Sequence, residues 1–175
     1  MGINNRQAGY LATEHLIRLE CKRIEFIAYH GSETTIHARH AGYLDALAAY
    51  GLQSGFDSLQ DLREGKTPGE AEAYVCINDR VAGHLMQVFL SKKVRIPEDV
   101  RIVGIDDVRY AGLLPVPLTT VRQPSRTIGE IALSTMLERI KRPHLPPRDI
   151  LMDGELIIRR SCGASINSGF LEIES

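Results

Sequence analysis

The stretch from residue 73 to residue 122 restricts the fold most, because two short apolar runs in it are joined by one amphipathic helix. The first run, AYVCI, is followed by Asn78, and the second, VRIVGI, is followed by Asp106. Runs separated in this way predict two parallel strands connected by a helical crossover. In an open parallel sheet, ligands bind just outside the carboxyl ends of the strands. Asn78 and Asp106 are therefore expected to face one small polar molecule.

The rest of the chain continues the alternation of helices and strands. Apolar residues at helical spacing predict a helix over residues 6–20, with Asn4 or Asn5 as its N-cap, and RIEFIAY at 23–29 predicts a buried strand. The other predicted elements are a helix that ends at Gly51, a helix over FDSLQDLRE from Phe56, a helix capped by Asp79, a helix capped by Ser125 that ends before Pro143, and short strands at 150–152 and 155–160. This pattern predicts an α/β fold with a parallel sheet and helices on both faces.

Composition excludes several classes of protein. Of the 175 residues, 43% are hydrophobic and 25% are charged, which is ordinary for a globular domain. The formal net charge of -1 provides no electrostatic footprint for nucleic acid. No apolar run is long enough to span a bilayer, and the start MGINNRQAG does not resemble a secretion signal. Cys21, Cys76 and Cys162 form no metal or redox motif, so we expect a cytoplasmic protein with no membrane partner.

Several motifs, in this order along the chain, resemble those of one family. They are GINNRQAGYLATEHLIRL at the start, RIEFIA, RHAGYLDAL, a strand followed by Asn-Asp and a helix, IPEDV, GIDD and LTTVRQP. In this set and order they resemble the effector-binding domain of the lactose/galactose-repressor family of bacterial transcription regulators. The resemblance runs from about Gly2 to Cys162.

The resemblance implies a two-lobed domain similar to periplasmic sugar-binding proteins, of which this chain holds mainly one lobe. Residues 1–117 and 144–163 are expected to form the second, flavodoxin-like lobe, and 118–143 the return segment of a first lobe that is largely missing. Residues 164–175 are expected to be a flexible tail. The family's helix-turn-helix has no counterpart in this sequence, so the expectation is that DNA is bound only through a domain that this chain lacks.

Two departures from the family pattern concern the fold. Between Leu52 and Ala73 the sequence shows no β-branched run, where the family usually has a strand that often carries an aromatic residue. In a sheet of order 2-1-3-4-5, this missing strand would be the edge strand 2. In addition, Glu20 and Cys21 replace a Gly-His pair, whose glycine would have ended the first helix in the left-handed conformation.

Four residues are candidates for effector binding. Arg39 matches the family's effector-binding arginine, and a guanidinium can fork onto two vicinal hydroxyls or a carboxylate. Asn78 matches the Asn of the family's Asn-Asp motif, although it could instead cap the following helix. Asp106 would accept hydrogen bonds from a pair of hydroxyls, with Asp107 capping or bracing the loop. Thr35 is at a weaker contact position of the family.

The resemblance also implies the partners. We expect a small-molecule effector, a sugar or a purine, bound weakly by this chain, and a homodimer whose interface includes Leu113 and Leu114. We expect no cofactor or metal and no enzymatic activity, since no phosphate-binding loop or nucleophile elbow is present. His37 and His40 have no third ligand at suitable spacing. The alternative interpretation is a stand-alone dimerisation module that binds no effector.

Overall fold

The protein folds around a six-stranded sheet that is parallel except for one edge strand. The structure, a computed structural model, describes residues 2–29, 34–58 and 71–164. The strands and helices in chain order are β1 (Gly2–Ile3), α1 (Asn5–Arg18), β2 (Ile24–Ala28), α2 (Thr34–Ala49), β3 (Gly55–Ser58), β4 (Ala73–Cys76), α3 (Asp79–Ser91), β5 (Arg101–Asp106), β6 (Thr119–Arg122), α4 (Ser125–Lys141), β7 (Leu151–Met152) and β8 (Glu155–Ile157). Short 3-10 helices lie at Ala111–Leu113 and Arg160–Cys162.

The strand order of the main sheet is β3-β2-β4-β5-β6-β8. Strands β3 to β6 are parallel to their neighbours, whereas β8 pairs antiparallel with β6. Counted from β2, the five parallel strands have the order 2-1-3-4-5 that the sequence analysis considered. Strands β1 and β7 form a separate two-stranded parallel sheet.

Helices cover both faces of the sheet, as predicted. On one face, the Phe26 ring lies 5.5 Å from the ring of Tyr43 on α2. On the other face, the Tyr74 ring lies 5.3 Å from that of Phe89 on α3. Side chains alternate between the faces along each strand, and the register pairs Phe26 with Val75, so the two ring pairs are on opposite sides. Helix α1 packs beside α2 and reaches β4, β5 and β6.

The edge strand β3 corrects the sequence analysis. A helix was predicted to start at Phe56 and the edge strand was expected to be missing, but Gly55–Ser58 pairs parallel with β2. The sequence GFDS has little β propensity, so it is the free edge of β2 that decides the structure of these residues. The remainder of the predicted helix lies outside the described residues. So does the expected tail, apart from Ala164.

Helix ends show three further differences. Asn78, not Asp79, caps α3 by accepting a hydrogen bond from the Val81 amide at 2.9 Å. Ser125 is the first residue of α4 and does not cap it. After α1, Glu20 takes the left-handed conformation (φ 66°) that the family gives to glycine. Asn4 caps α1 as expected, with its side chain 3.2 Å from the Gln7 amide.

Helix α4 is the least buried of the four helices described, since α1, α2 and α3 all contain buried residues. None of its residues is buried. Leu133, Met136, Leu137 and Ile140 are each about half exposed or more, and their spacing of three and four residues places them in one stripe. By contrast β6, which precedes α4, is buried in the main sheet between β5 and β8. The sheet thus continues into the segment 118–143, which was expected to belong to the first lobe.

Candidate functional site at the carboxyl edge of the sheet

An arginine and an aspartate meet where the parallel strands end. Arg39 lies in α2 and is only 4% exposed, and its Nη2 donates to Asp106 Oδ1 at 2.9 Å. The other guanidinium nitrogens donate to the Asn5 side chain, at 2.9 Å, and to the Ile77 carbonyl oxygen. All three nitrogens of the guanidinium therefore have protein acceptors. Such a group is held in one orientation, with its charge at the end of the sheet.

Close contact between α1 and α2 brings Asn5 to Arg39. A Cβ atom on Gly9 would lie 2.0 Å from the Arg39 carbonyl oxygen, and one on Gly42 would lie 1.9 Å from the Arg6 carbonyl oxygen. The two helix backbones therefore touch at both glycines. Any larger residue at either position would separate the helices and move Arg39 away from Asn5.

Asp106 is the last residue of β5 and turns its carboxylate toward the edge of the sheet. Its side chain is 26% exposed, and it accepts a second hydrogen bond from Gln123 Nε2. Gln123 directly follows β6, so a third strand end contributes to the site. The sequence analysis did not identify Gln123, although its position after a strand was the signal that had pointed to Asn78 and Asp106.

The next residue, Asp107, braces the loop as predicted. Its two carboxylate oxygens accept hydrogen bonds from Arg122 Nε and Arg159 Nη2, each at 2.7 Å. Burial alone would raise the pKa of Asp107, but the bonds from Arg122 and Arg159 prevail and hold the pKa below its ordinary value. Asp107 therefore stays ionised and links β5 to the chain after β8.

Asn78 and Thr35 lie near the Arg39–Asp106 ion pair but are not part of it. Asn78 is half-buried, and its Oδ1 serves as the cap of α3. Its amide nitrogen and the second lone pair of Oδ1 can still contact a ligand. Thr35 is half-buried in the first turn of α2, four residues before Arg39, and so on the same side of that helix. All four candidate residues thus lie on elements that meet at this edge.

A buried carboxyl group lies beneath the loop after β5. Asp79 is fully buried, and its two oxygens accept hydrogen bonds from the Val108 amide at 2.9 Å and the Thr120 hydroxyl at 2.5 Å. Burial raises the pKa of Asp79 to about 6, against the effect of these hydrogen bonds. The sequence analysis assigned Asp79 only to capping α3.

Comparison with known proteins identifies the family. Residues 13–162 match the family of periplasmic binding protein-like domains. The chain belongs to this family. Within it, the chain is an effector-binding domain of the type found in LacI-family transcription regulators.

Two relatives illustrate the match in sequence. The HTH-type transcriptional repressor PurR of Actinobacillus pleuropneumoniae serotype 3 (strain JL03) is 33% identical in an alignment 175 positions long. The alignment covers 90% of this chain and 51% of that protein. The ribose operon repressor of Haemophilus influenzae is 28% identical, again over 90% of this chain and 51% of the relative. The chain spans about half the length of the relatives it matches.

Solved structures agree with this effector-binding domain. The transcriptional regulator CelR in its cellobiose complex matches with a TM-score of 0.82 and 26% identity, over 91% of this chain and 52% of that one. A LacI family regulator from Mycobacterium smegmatis matches with a TM-score of 0.76 and 29% identity, over 91% of this chain and 64% of that one. In the described part of the chain, no helix is long and apolar enough to cross a membrane.

Proposed function

We propose that this chain binds a small polar effector, a sugar or a purine, at the edge formed by Arg39 and Asp106. The observation that supports this most is the pairing of the Arg39 guanidinium with the Asp106 carboxylate at 2.9 Å, at the ends of the parallel strands. Together they offer a forked donor and a charged acceptor, the combination that recognises vicinal hydroxyls or the polar edge of a base. The Asn78 amide nitrogen and the Thr35 hydroxyl would add further contacts.

The relatives support a sugar or a similar polar compound as the effector. One of them is named as a repressor of the ribose operon, and one matching structure is a complex with cellobiose. The bound effector would change the state of a dimer by binding one conformation more tightly than the other. We place this regulator in the cytoplasm and assign it no catalytic role.

We expect weak binding by this chain. Typical small-molecule sites enclose roughly 70–90% of their ligand, whereas Arg39, Asn78, Asp106 and Thr35 lie along one edge. Three polar contacts that each contribute about 1 kcal/mol net sum to about 3 kcal/mol, which is less than the roughly 4 kcal/mol of a millimolar Kd even before the entropy of association is included.

A second candidate function is dimerisation without an effector. Leu113 is 85% exposed on the loop after β5, which favours a contact surface. Leu114, the other residue of the proposed interface, is half-buried and packs against the core. The three protein acceptors of Arg39 also fit a purely structural role for that residue.

The two functions can be separated by a thermal-shift screen and calorimetry with ribose, cellobiose and purine bases at millimolar concentration. Asp106→Asn removes the charge at the site, and Asp149→Asn, which alters an exposed carboxylate before β7, is the matched control. A ligand that raises the Tm of the wild type and of Asp149→Asn, but not of Asp106→Asn, supports the effector site. A folded protein that binds nothing at tens of millimolar supports the dimerisation module, and micromolar binding contradicts the expected weakness.

A further inference from the structure

The loop that carries Asp106 has an unfavourable backbone conformation. Asp106 has φ 131° and Asp107 has φ 52°, both in the region that residues other than glycine rarely adopt. A residue in such a conformation is strained and persists only where its surroundings hold it. The groups that hold this loop therefore decide where the Asp106 carboxylate points.

The buried carboxylate of Asp79 binds the backbone of this loop. One carboxylate oxygen accepts the Val108 amide at 2.9 Å, directly after the strained pair. The other accepts the Thr120 hydroxyl, whose oxygen in turn accepts the Asp107 amide at 3.3 Å. The amides that follow both strained residues are thus bound to Asp79, one directly and one through Thr120.

The packing around Asp79 is specific to a carboxyl group in this position. A Cβ atom on Gly104 would lie 2.3 Å from Asp79 Oδ1, so β5 admits the carboxylate only because residue 104 is glycine. Capping α3 does not require Asp79, because Asn78 performs that role. Burying a carboxyl group at 0% exposure is costly, and the hydrogen bonds to the loop are what it gains in return.

We propose that Asp79, together with Thr120, is the positioning residue of the effector site: it fixes the turn at Asp106–Asp107 so that the Asp106 carboxylate faces Arg39. The inference rests on the proposed function only in taking Arg39 and Asp106 as the binding pair. Asp79 is fully buried and is not one of the groups proposed to contact the effector. Its effect passes through the Val108 amide and the Thr120 hydroxyl.

Two neighbouring threonines provide a matched test. Thr119 and Thr120 are both fully buried in β6, but the Thr119 hydroxyl binds the backbone of Arg159 instead of Asp79, and it is linked to the loop only through the Arg159–Asp107 ion pair. Thr119→Val and Thr120→Val each remove one buried hydroxyl at nearly constant volume. The coupling between Arg39 and Asp106 is measured in each background from urea unfolding of Arg39→Gln, Asp106→Asn and the double variant.

We expect the coupling to persist in Thr119→Val, to be lost in Thr120→Val and Asp79→Asn, and to return in Thr120→Ser. Equal coupling in Thr119→Val and Thr120→Val would overturn the proposal. If an Arg39 variant does not fold, the cycle is replaced by NMR of the single threonine variants, which follows solvent exchange of the Arg39 Nη2 protons that donate to Asp106. Faster exchange in Thr120→Val than in Thr119→Val supports positioning, and equal rates contradict it.

These measurements use no effector, so they are independent of the proposed function. Lost coupling in Thr120→Val supports the role of Asp79 even if the ligand screen finds nothing. Conversely, a ligand that binds at Arg39 and Asp106, with coupling unchanged in Thr120→Val, supports the effector site and removes Asp79 from it.

Discussion

Arg39 and Asp106 are 67 residues apart in sequence, yet their side chains form an ion pair with 2.9 Å between Nη2 and Oδ1. The pair joins the start of α2 to the end of β5 across the carboxyl edge of the sheet. Each group therefore meets part of the other's hydrogen-bonding capacity, and the bonds from Arg39 and Gln123 both go to Asp106 Oδ1. An effector at this edge would use the remaining donors and acceptors of the pair or displace the existing contact.

Replacing Arg39 with glutamine should destabilise the fold. The substitution removes the donors that bind the Asn5 side chain, the Ile77 carbonyl and the Asp106 carboxylate. Because these acceptors are partly buried, losing their partner should cost about 2–4 kcal/mol in total. Urea unfolding measures this loss. Arg18→Gln is the control, because Arg18 pairs with Glu14 while its side chain is 68% exposed, and that change should stay within about 0.5 kcal/mol. Equal effects of the two substitutions would contradict the role assigned to Arg39.

The glycines at the α1–α2 contact allow a second prediction. Gly9→Ala would place a methyl group 2.0 Å from the Arg39 carbonyl oxygen, so the helices must separate, and we expect a loss of at least about 2 kcal/mol. Gly129→Ala in α4 meets nothing within 4 Å and should instead stabilise by about 0.5–1 kcal/mol through helix propensity. Thermal unfolding of the two variants checks the opposite signs. A neutral Gly9→Ala would show that the contact between α1 and α2 can relax.

The sequence predicted the elements whose pattern is strong. Apolar strands followed by polar residues located β4 and β5, and the strand-end argument placed Asn78 and Asp106 at one edge. The prediction failed where tertiary context decides the conformation. The four residues of β3 have no strand pattern, and their conformation depends on the free edge of β2. Strand β8 runs antiparallel because the chain returns from α4 to the opposite edge of the sheet, beside β6.

The contacts within the site were harder to predict from the sequence than the residues that form it. Nothing in local sequence indicates that Asp79 turns away from its own helix to bind Val108 and Thr120, since an Asn-Asp pair before a helix offers two possible caps. Gln123 could have been found by applying the strand-end argument to β6. The contact of Asn5 with Arg39 depends on the close approach at Gly9 and Gly42, which only a three-dimensional structure displays.

The buried carboxyl group of Asp79 should make stability depend on pH. Its pKa in the folded protein, about 6, is above the ordinary 3.8, so the folded state binds the proton more tightly than the unfolded state. This group therefore contributes stability below about pH 4 that is lost as the pH rises through 6, at most about 3 kcal/mol. Asp99 and Glu72, whose pKa values are lowered, act in the opposite direction at acid pH.

Comparison with Asp79→Asn isolates this contribution. Urea unfolding between pH 4.5 and 7.5 should show a difference between wild type and variant that changes with pH, because asparagine does not titrate. Parallel pH profiles of the two proteins would contradict the raised pKa.

The exposed stripe on α4 should drive self-association. Leu133, Met136, Leu137 and Ile140 form this stripe, with Ile140 71% exposed, and we expect a dimer or larger assembly by light scattering. Met136→Lys with Ile140→Lys should lower the average mass. Thr127→Lys with Ser134→Lys adds the same charge to exposed positions on another side of the helix and should not. A wild-type monomer at all concentrations would contradict the prediction, and dissociation by Leu113→Lys alone would place the interface at the loop after β5.

DNA binding by this chain should be weak and independent of sequence. The 21 basic and 22 acidic residues nearly cancel, and several arginines are already engaged in ion pairs, among them Arg6 with Asp45 and Arg95 with Asp99. With a formal net charge of -1, the chain has no excess of cations to displace counterions from phosphates. In a mobility-shift experiment at low salt, we expect at most a smear that disappears by about 0.2 M salt. A discrete band that survives this salt and is competed by one sequence only would show that the chain has a DNA-reading surface of its own.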